Sequence, residues 1–115
     1  MNELILLITL LGSFPVTSYR SVHNQTDNSP FITSTGEHVN KMGCAASQDL
    51  LRDGIVRYGD LVYIQDVGFR YVNDTMNIRI KCQFDVWVGT LIEEKSHDKK
   101  FRRRTLKVWL IKKKI

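Results

Sequence analysis

From Leu61 to Ile111 the chain is cut into short apolar segments with period-two alternation, and that pattern suits only a β-rich fold. Leu61 to Ile64 and Val67 to Val72 read as strands separated by Gln65 and Asp66, and the pattern continues through Ile78 to Lys81 and Gln83 to Val88. Along the latter stretch Cys82, Phe84, Val86 and Val88 share one face, while Gln83, Asp85 and Trp87 share the other. Thr105 to Ile111 closes the series, with Leu106, Val108 and Leu110 alternating against Lys107 and Trp109. Upstream, Val16 to Val22 is β-prone, and residues 31–47 suggest short strands and turns. Gln48 to Asp53 predicts a single helical turn with Ser47 as N-cap and Gly54 as its stop. Thr90 to Lys100 is polar and reads as a helix. Many short strands in 115 residues argue for one small barrel or sandwich.

Composition makes a folded domain the default over disorder: 43% of residues are hydrophobic and 25% charged, as in ordinary globular domains. The net charge of +5 is unevenly spread. Residues 1–98 hold 8 Lys/Arg against 12 Asp/Glu, whereas residues 99–115 hold 9 Lys/Arg and no acid. A basic tail attracts any polyanion, so it names no specific nucleic-acid partner. The run Leu4 to Phe14 is too short for a membrane-spanning helix and has the length of a signal-peptide core, although Glu3 precedes it and no A-x-A site follows. It predicts an exported chain with a hydrophobic segment over residues 1–16 and weak membrane association through it; a strand within the fold is the other reading. Cys44 and Cys82 lack zinc-site spacing and would pair only in an oxidising compartment. His23, His38 and His97 form no metal or triad pattern, so no cofactor is expected.

An ordered set of motifs is more specific. Gly59 to Ile64 (G-D-L-V-Y-I), Gly68, Tyr71-Val72, Asp74-Thr75, Phe84-Asp85-Val86 and Val108 to Ile111 follow one another in register, preceded by Thr17-x-Tyr19, Gln25-Thr26-Asp27 and Thr33-x-Thr35-Gly36. Together they resemble the three-aspartate (3D) family of exported cell-wall proteins over about 95 residues. The resemblance implies a six-stranded double-psi β-barrel with one short helix over residues 17–115. Such barrels are similar to those of membrane-bound lytic transglycosylase A, stationary-phase muralytic proteins and expansins. It implies action on peptidoglycan, by a monomer whose small size fits a phage or prophage origin. Carried over position by position, Asp85 matches the catalytic acid and Asp74 the aspartate of the D-T motif. Ser47 stands at the best-matched position of the family's first aspartate, with Asp49 two residues on as its substitute. Tyr19, Thr33, Thr35 and Thr75 become substrate-binding candidates. A lytic transglycosylase needs one carboxylic acid at the leaving oxygen, because the sugar's own hydroxyl is the nucleophile, and a second carboxylate nearby helps keep that acid protonated. Outside the resemblance, Asp85 reads as a solvated strand residue, Asp74 as an Asx-turn, and Trp87 and Tyr71 as packing aromatics that could also stack on sugars. A non-catalytic, expansin-like glycan-binding barrel is the alternative function.

Overall fold

The computed structural model describes residues 5–20, 42–89 and 104–114. Within them six strands, β1 (Leu6–Arg20), β2 (Gly43–Ala46), β3 (Leu61–Ile64), β4 (Gly68–Thr75), β5 (Phe84–Gly89) and β6 (Arg104–Lys113), close into a barrel in the order β1-β5-β2-β4-β3-β6. One short helix, α1 (Gln48–Arg52), follows β2.

The barrel is mixed. β1 runs parallel to β5 and β2 parallel to β4, while every other neighbouring pair is antiparallel. β1 and β2 are therefore antiparallel with β5 lying between them, and β4 and β5 are antiparallel with β2 between them. Two interlocked crossings of this kind make the double-psi arrangement, and exchanging the first three strands for the last three reproduces the same cyclic order.

Alternation places the core. Val62 and Ile64 of β3, Phe84 and Val86 of β5, and Leu106 and Val108 of β6 all point inward and are fully or almost fully buried. Phe14 and Phe84 meet edge to face at 5.3 Å across the interior, a favoured aromatic geometry. Cys44 and Ala46 of β2 and Leu50 of α1 complete the packing on that side.

Several expected boundaries shift. The division expected between residues 16 and 17 falls inside β1, which already pairs with β6 from Leu6 opposite Lys113. Ile78 to Lys81 is not a strand: Asn77 turns the chain there, its side chain accepting from the Arg79 N–H at 2.9 Å and its carbonyl from the Ile80 N–H at 2.9 Å. Cys82 then takes a positive φ of 49°, which ends any extended register and leaves it exposed instead of on the inward face with Phe84. The helical turn expected after Ser47 is present, and Gly54 (φ 74°) ends it. The helix expected over residues 90–100 lies outside the described residues. The two cysteines are unbridged, Cys44 in the core and Cys82 at the surface.

Candidate functional site

The strand order brings together residues far apart in sequence. Ala45 of β2 lies opposite Asp85 of β5 on one side and opposite Asp74 of β4 on the other. Thr17 of β1 lies opposite Asp85 in turn. Thr17, Asp85, Ala45 and Asp74 thus form one row across four strands, with the two acidic residues two strand spacings apart, roughly 10 Å between backbones.

A β-bulge makes this row possible. The β2–β4 register runs Cys44 to Val72 and then Ala45 to Asp74, so Asn73 is the extra residue. Val72 points into the core. In a regular strand Asp74 would share its face; the inserted Asn73 turns Asp74 to the side of Ala45, away from the core. Asn73 itself is buried, and its side chain lies over Gly43: a Cβ there would sit 2.8 Å from its amide nitrogen. Glycine at position 43 therefore serves a close approach, not a turn.

Asp85 lies between buried Phe84 and Val86, so it faces outward, half-buried. Thr17 donates its hydroxyl to Asp85 Oδ1 at 2.8 Å, and Gln83 Nε2 donates to Thr17 Oγ1 at 3.0 Å. This chain fixes the carboxyl on the barrel surface. Asp74 Oδ1 accepts from the Thr75 N–H at 2.9 Å, and Asp74 sits in a strand, not in the Asx-turn its neighbours suggested. The next row on the same strands holds Gly43 opposite Tyr71, and Trp87 opposite Tyr19. Trp87 is half-buried and Tyr71 exposed, so two aromatic side chains flank the small residues of β2 beside the two acids.

Two other expected residues have structural duties. Thr75 donates its hydroxyl to the Ala46 carbonyl at 3.0 Å, tying β4 to β2. Asp49 accepts from the Cys82 N–H at 3.0 and 3.2 Å and from the Cys82 thiol at 3.3 Å. Burial pushes the Asp49 carboxyl up, but hydrogen bonds from Ser47 and from the thiol and N–H of Cys82 outweigh it and hold the carboxyl at about 2. Asp49 is thus ionised at neutral pH and carries no proton to donate. It anchors the loop 76–83 onto α1, helped by Ser47, whose hydroxyl accepts from the Gln83 N–H at 3.0 Å instead of capping the helix. Tyr19 contributes its backbone register to β1, and Thr33 and Thr35 lie outside the described residues.

Sequence reasoning passed over Thr17 as a partner of Asp85. The two are 68 residues apart and meet only through parallel pairing of β1 and β5, which no local pattern signals. Among the described residues no group of three His, Cys, Asp or Glu is arranged to hold a metal ion. No protein-family model matches this chain, and the search of curated proteins finds no significant match to it either.

Proposed function

We propose that the barrel is a cell-wall glycan-cleaving domain of the lytic-transglycosylase type, with Asp85 as its acid. The observation that carries this reading is the row Thr17, Asp85, Ala45, Asp74, in which two half-buried carboxyls stand either side of a small, buried residue. Trp87 and Tyr71 offer apolar faces to a sugar ring beside the acids. In the reaction Asp85 gives a proton to the leaving glycosidic oxygen as the bond to the anomeric carbon breaks. A hydroxyl of the same sugar attacks that carbon and returns its own proton to Asp85, so the acid is regenerated and no water is consumed. Asp74 supplies negative charge near the cation-like anomeric carbon. The resemblance to the three-aspartate family supports the same assignment of Asp85 and Asp74, and with it an exported, envelope-located protein.

A non-catalytic glycan-binding barrel is the second reading. It is favoured by the donors already engaging both acids, Thr17 on Asp85 and the Thr75 N–H on Asp74. Digestion of purified peptidoglycan with mass spectrometry separates the two. Anhydro-muropeptides from the native chain and none from Asp85→Asn support cleavage; retention on peptidoglycan without products at any pH supports binding alone; neither would discard both.

A further inference from the structure

The end of the barrel remote from the acidic row carries a different chemistry. Thr17 is 11 positions after Leu6 on β1, roughly 35 Å along an extended strand. At the Leu6 end, Leu6, Ile8 and Leu10 project from the outer face, each about half exposed or more, with Ile8 at 64%. Trp109 of β6 lies opposite Leu10, and Tyr63 of β3 lies opposite Trp109, extending the apolar surface around the barrel. Single exposed apolar residues are ordinary, but a contiguous cross-strand group marks a contact surface.

Basic side chains stand directly beside this surface. Lys113 is opposite Leu6, and the Lys114 N–H donates to the Ile5 carbonyl at 2.8 Å. Lys112 pairs with Asp60 at 2.8 Å. Among the described residues, Lys113 and Lys114 thus have leucine and isoleucine as strand neighbours. Aliphatic side chains and lysines share the tip, with Trp109 and Tyr63 nearer the barrel body, and such an apolar face edged by cations is complementary to an anionic lipid surface. Tyr63 is tilted by 55° to Trp109 and by 71° to Phe69, so the three rings do not form one flat platform for a sugar chain.

We infer that the β1–β6 tip docks the folded barrel peripherally on anionic membranes, through Leu6, Ile8, Leu10 and Trp109 with Lys113 and Lys114 on the headgroups. Among the described residues no helix is long and apolar enough to cross a membrane, and the contact needs none. The acidic row is held away from the lipid, so docking and glycan chemistry are separate properties of the two ends.

The test is co-sedimentation of the full chain with vesicles of pure phosphatidylcholine and with vesicles of phosphatidylcholine and phosphatidylglycerol in equal parts. Binding should require phosphatidylglycerol and fall steeply at about 1 M salt, where charges are screened beyond about 3 Å. The surface variant Lys113→Gln/Lys114→Gln should bind roughly 30-fold more weakly, about fivefold for each lysine. In a Trp87→Phe background, Trp109 emission should shift to the blue on binding. Absence of vesicle binding by the native chain overturns the inference, as does equal binding to neutral vesicles that is unmoved by the lysine changes. A lipid-free dimer in sedimentation that produces the same Trp109 shift also overturns it and assigns the surface to a second copy. Peptidoglycan digestion by the same lysine variant, compared with the native chain, keeps this outcome separate from that of the glycan reading.

Discussion

Asp85 and Asp74 differ in what holds them, and substitution should separate them. Asp85→Asn keeps the shape and still accepts the Thr17 hydroxyl, but cannot give up an acidic proton; glycan cleavage should fall by roughly 10²–10⁴-fold with the circular dichroism spectrum unchanged. Asp74→Asn should cost less, because its part is electrostatic. Asp49→Asn should leave chemistry intact and act on stability. The Asp49 carboxyl has a folded value lowered from 3.8 to about 2, so its contribution is fully present above about pH 4 and is lost as pH falls through 2. Native and Asp49→Asn chains should therefore differ in urea midpoint at pH 7 and converge near pH 2. The cysteines give a second titration. Burial pushes the Cys44 thiol up to about 12, and the hydrogen bond to Asp49 pushes the Cys82 thiol up as well. A raised thiol favours folding below its ordinary value and withdraws that support as pH climbs past it, so stability should fall between about pH 9 and 12 and Cys44→Ala should flatten that fall. Alkylation of the native chain should label exposed Cys82 first and Cys44 only on unfolding. The outward direction of Asp85 was legible from the alternation around it; the Asp49 clamp was not, because it depends on a positive-φ residue 33 positions away.

At the scale of elements, the alternation in β3, β5 and β6 reads directly from sequence, since one face of each strand must fill the barrel. The loop over residues 76–83 misled that reading because Ile78 and Ile80 mimic alternation, while the Asn77 side chain competes with the ladder for backbone donors. The bulge at Asn73 was equally hidden: nothing local distinguishes an inserted residue from a strand residue, and only pairing with β2 defines it. It is also the element on which the acidic row depends. Gly43→Ala would drive a methyl into the Asn73 amide, 2.8 Å away, and overpacking of this kind costs about 1–3 kcal/mol. Thermal unfolding should report that loss as a lower Tm, and cleavage should fall with it as Asp74 moves. Equal Tm values for the two chains would mean that Asn73 has another place to go.

For the whole molecule, a closed six-stranded barrel with one short helix was expected and is what the strand order shows, but the part played by the first half of β1 was not foreseen. Closure rests on β1, whose first half was read as an apolar leader because eleven residues of Leu, Ile, Thr, Gly, Ser and Phe satisfy both descriptions. In the fold that half pairs with β6 from Leu6 onward, and it sends Phe14 into the core against Phe84. Removing residues 1–15 therefore removes more than a tail. Loss of the Phe14 side chain alone costs about 3–5 kcal/mol, and a domain of this size holds only about 5–15 kcal/mol in total. The truncated chain would also strip β6 of its β1 partner from Thr105 to Lys113, opening that edge of the strand while β3 pairs the other edge only from Val108 to Ile111. Such a chain should aggregate or show no cooperative urea transition, whereas the full chain should unfold in one step. The same argument predicts that the folded protein keeps the whole of β1. Intact-mass measurement should find residues 6–16 retained in the folded form, including any fraction recovered from an envelope. A native barrel that begins at Thr17 and unfolds as cooperatively as the full chain would show that β1 closes the barrel with its second half alone.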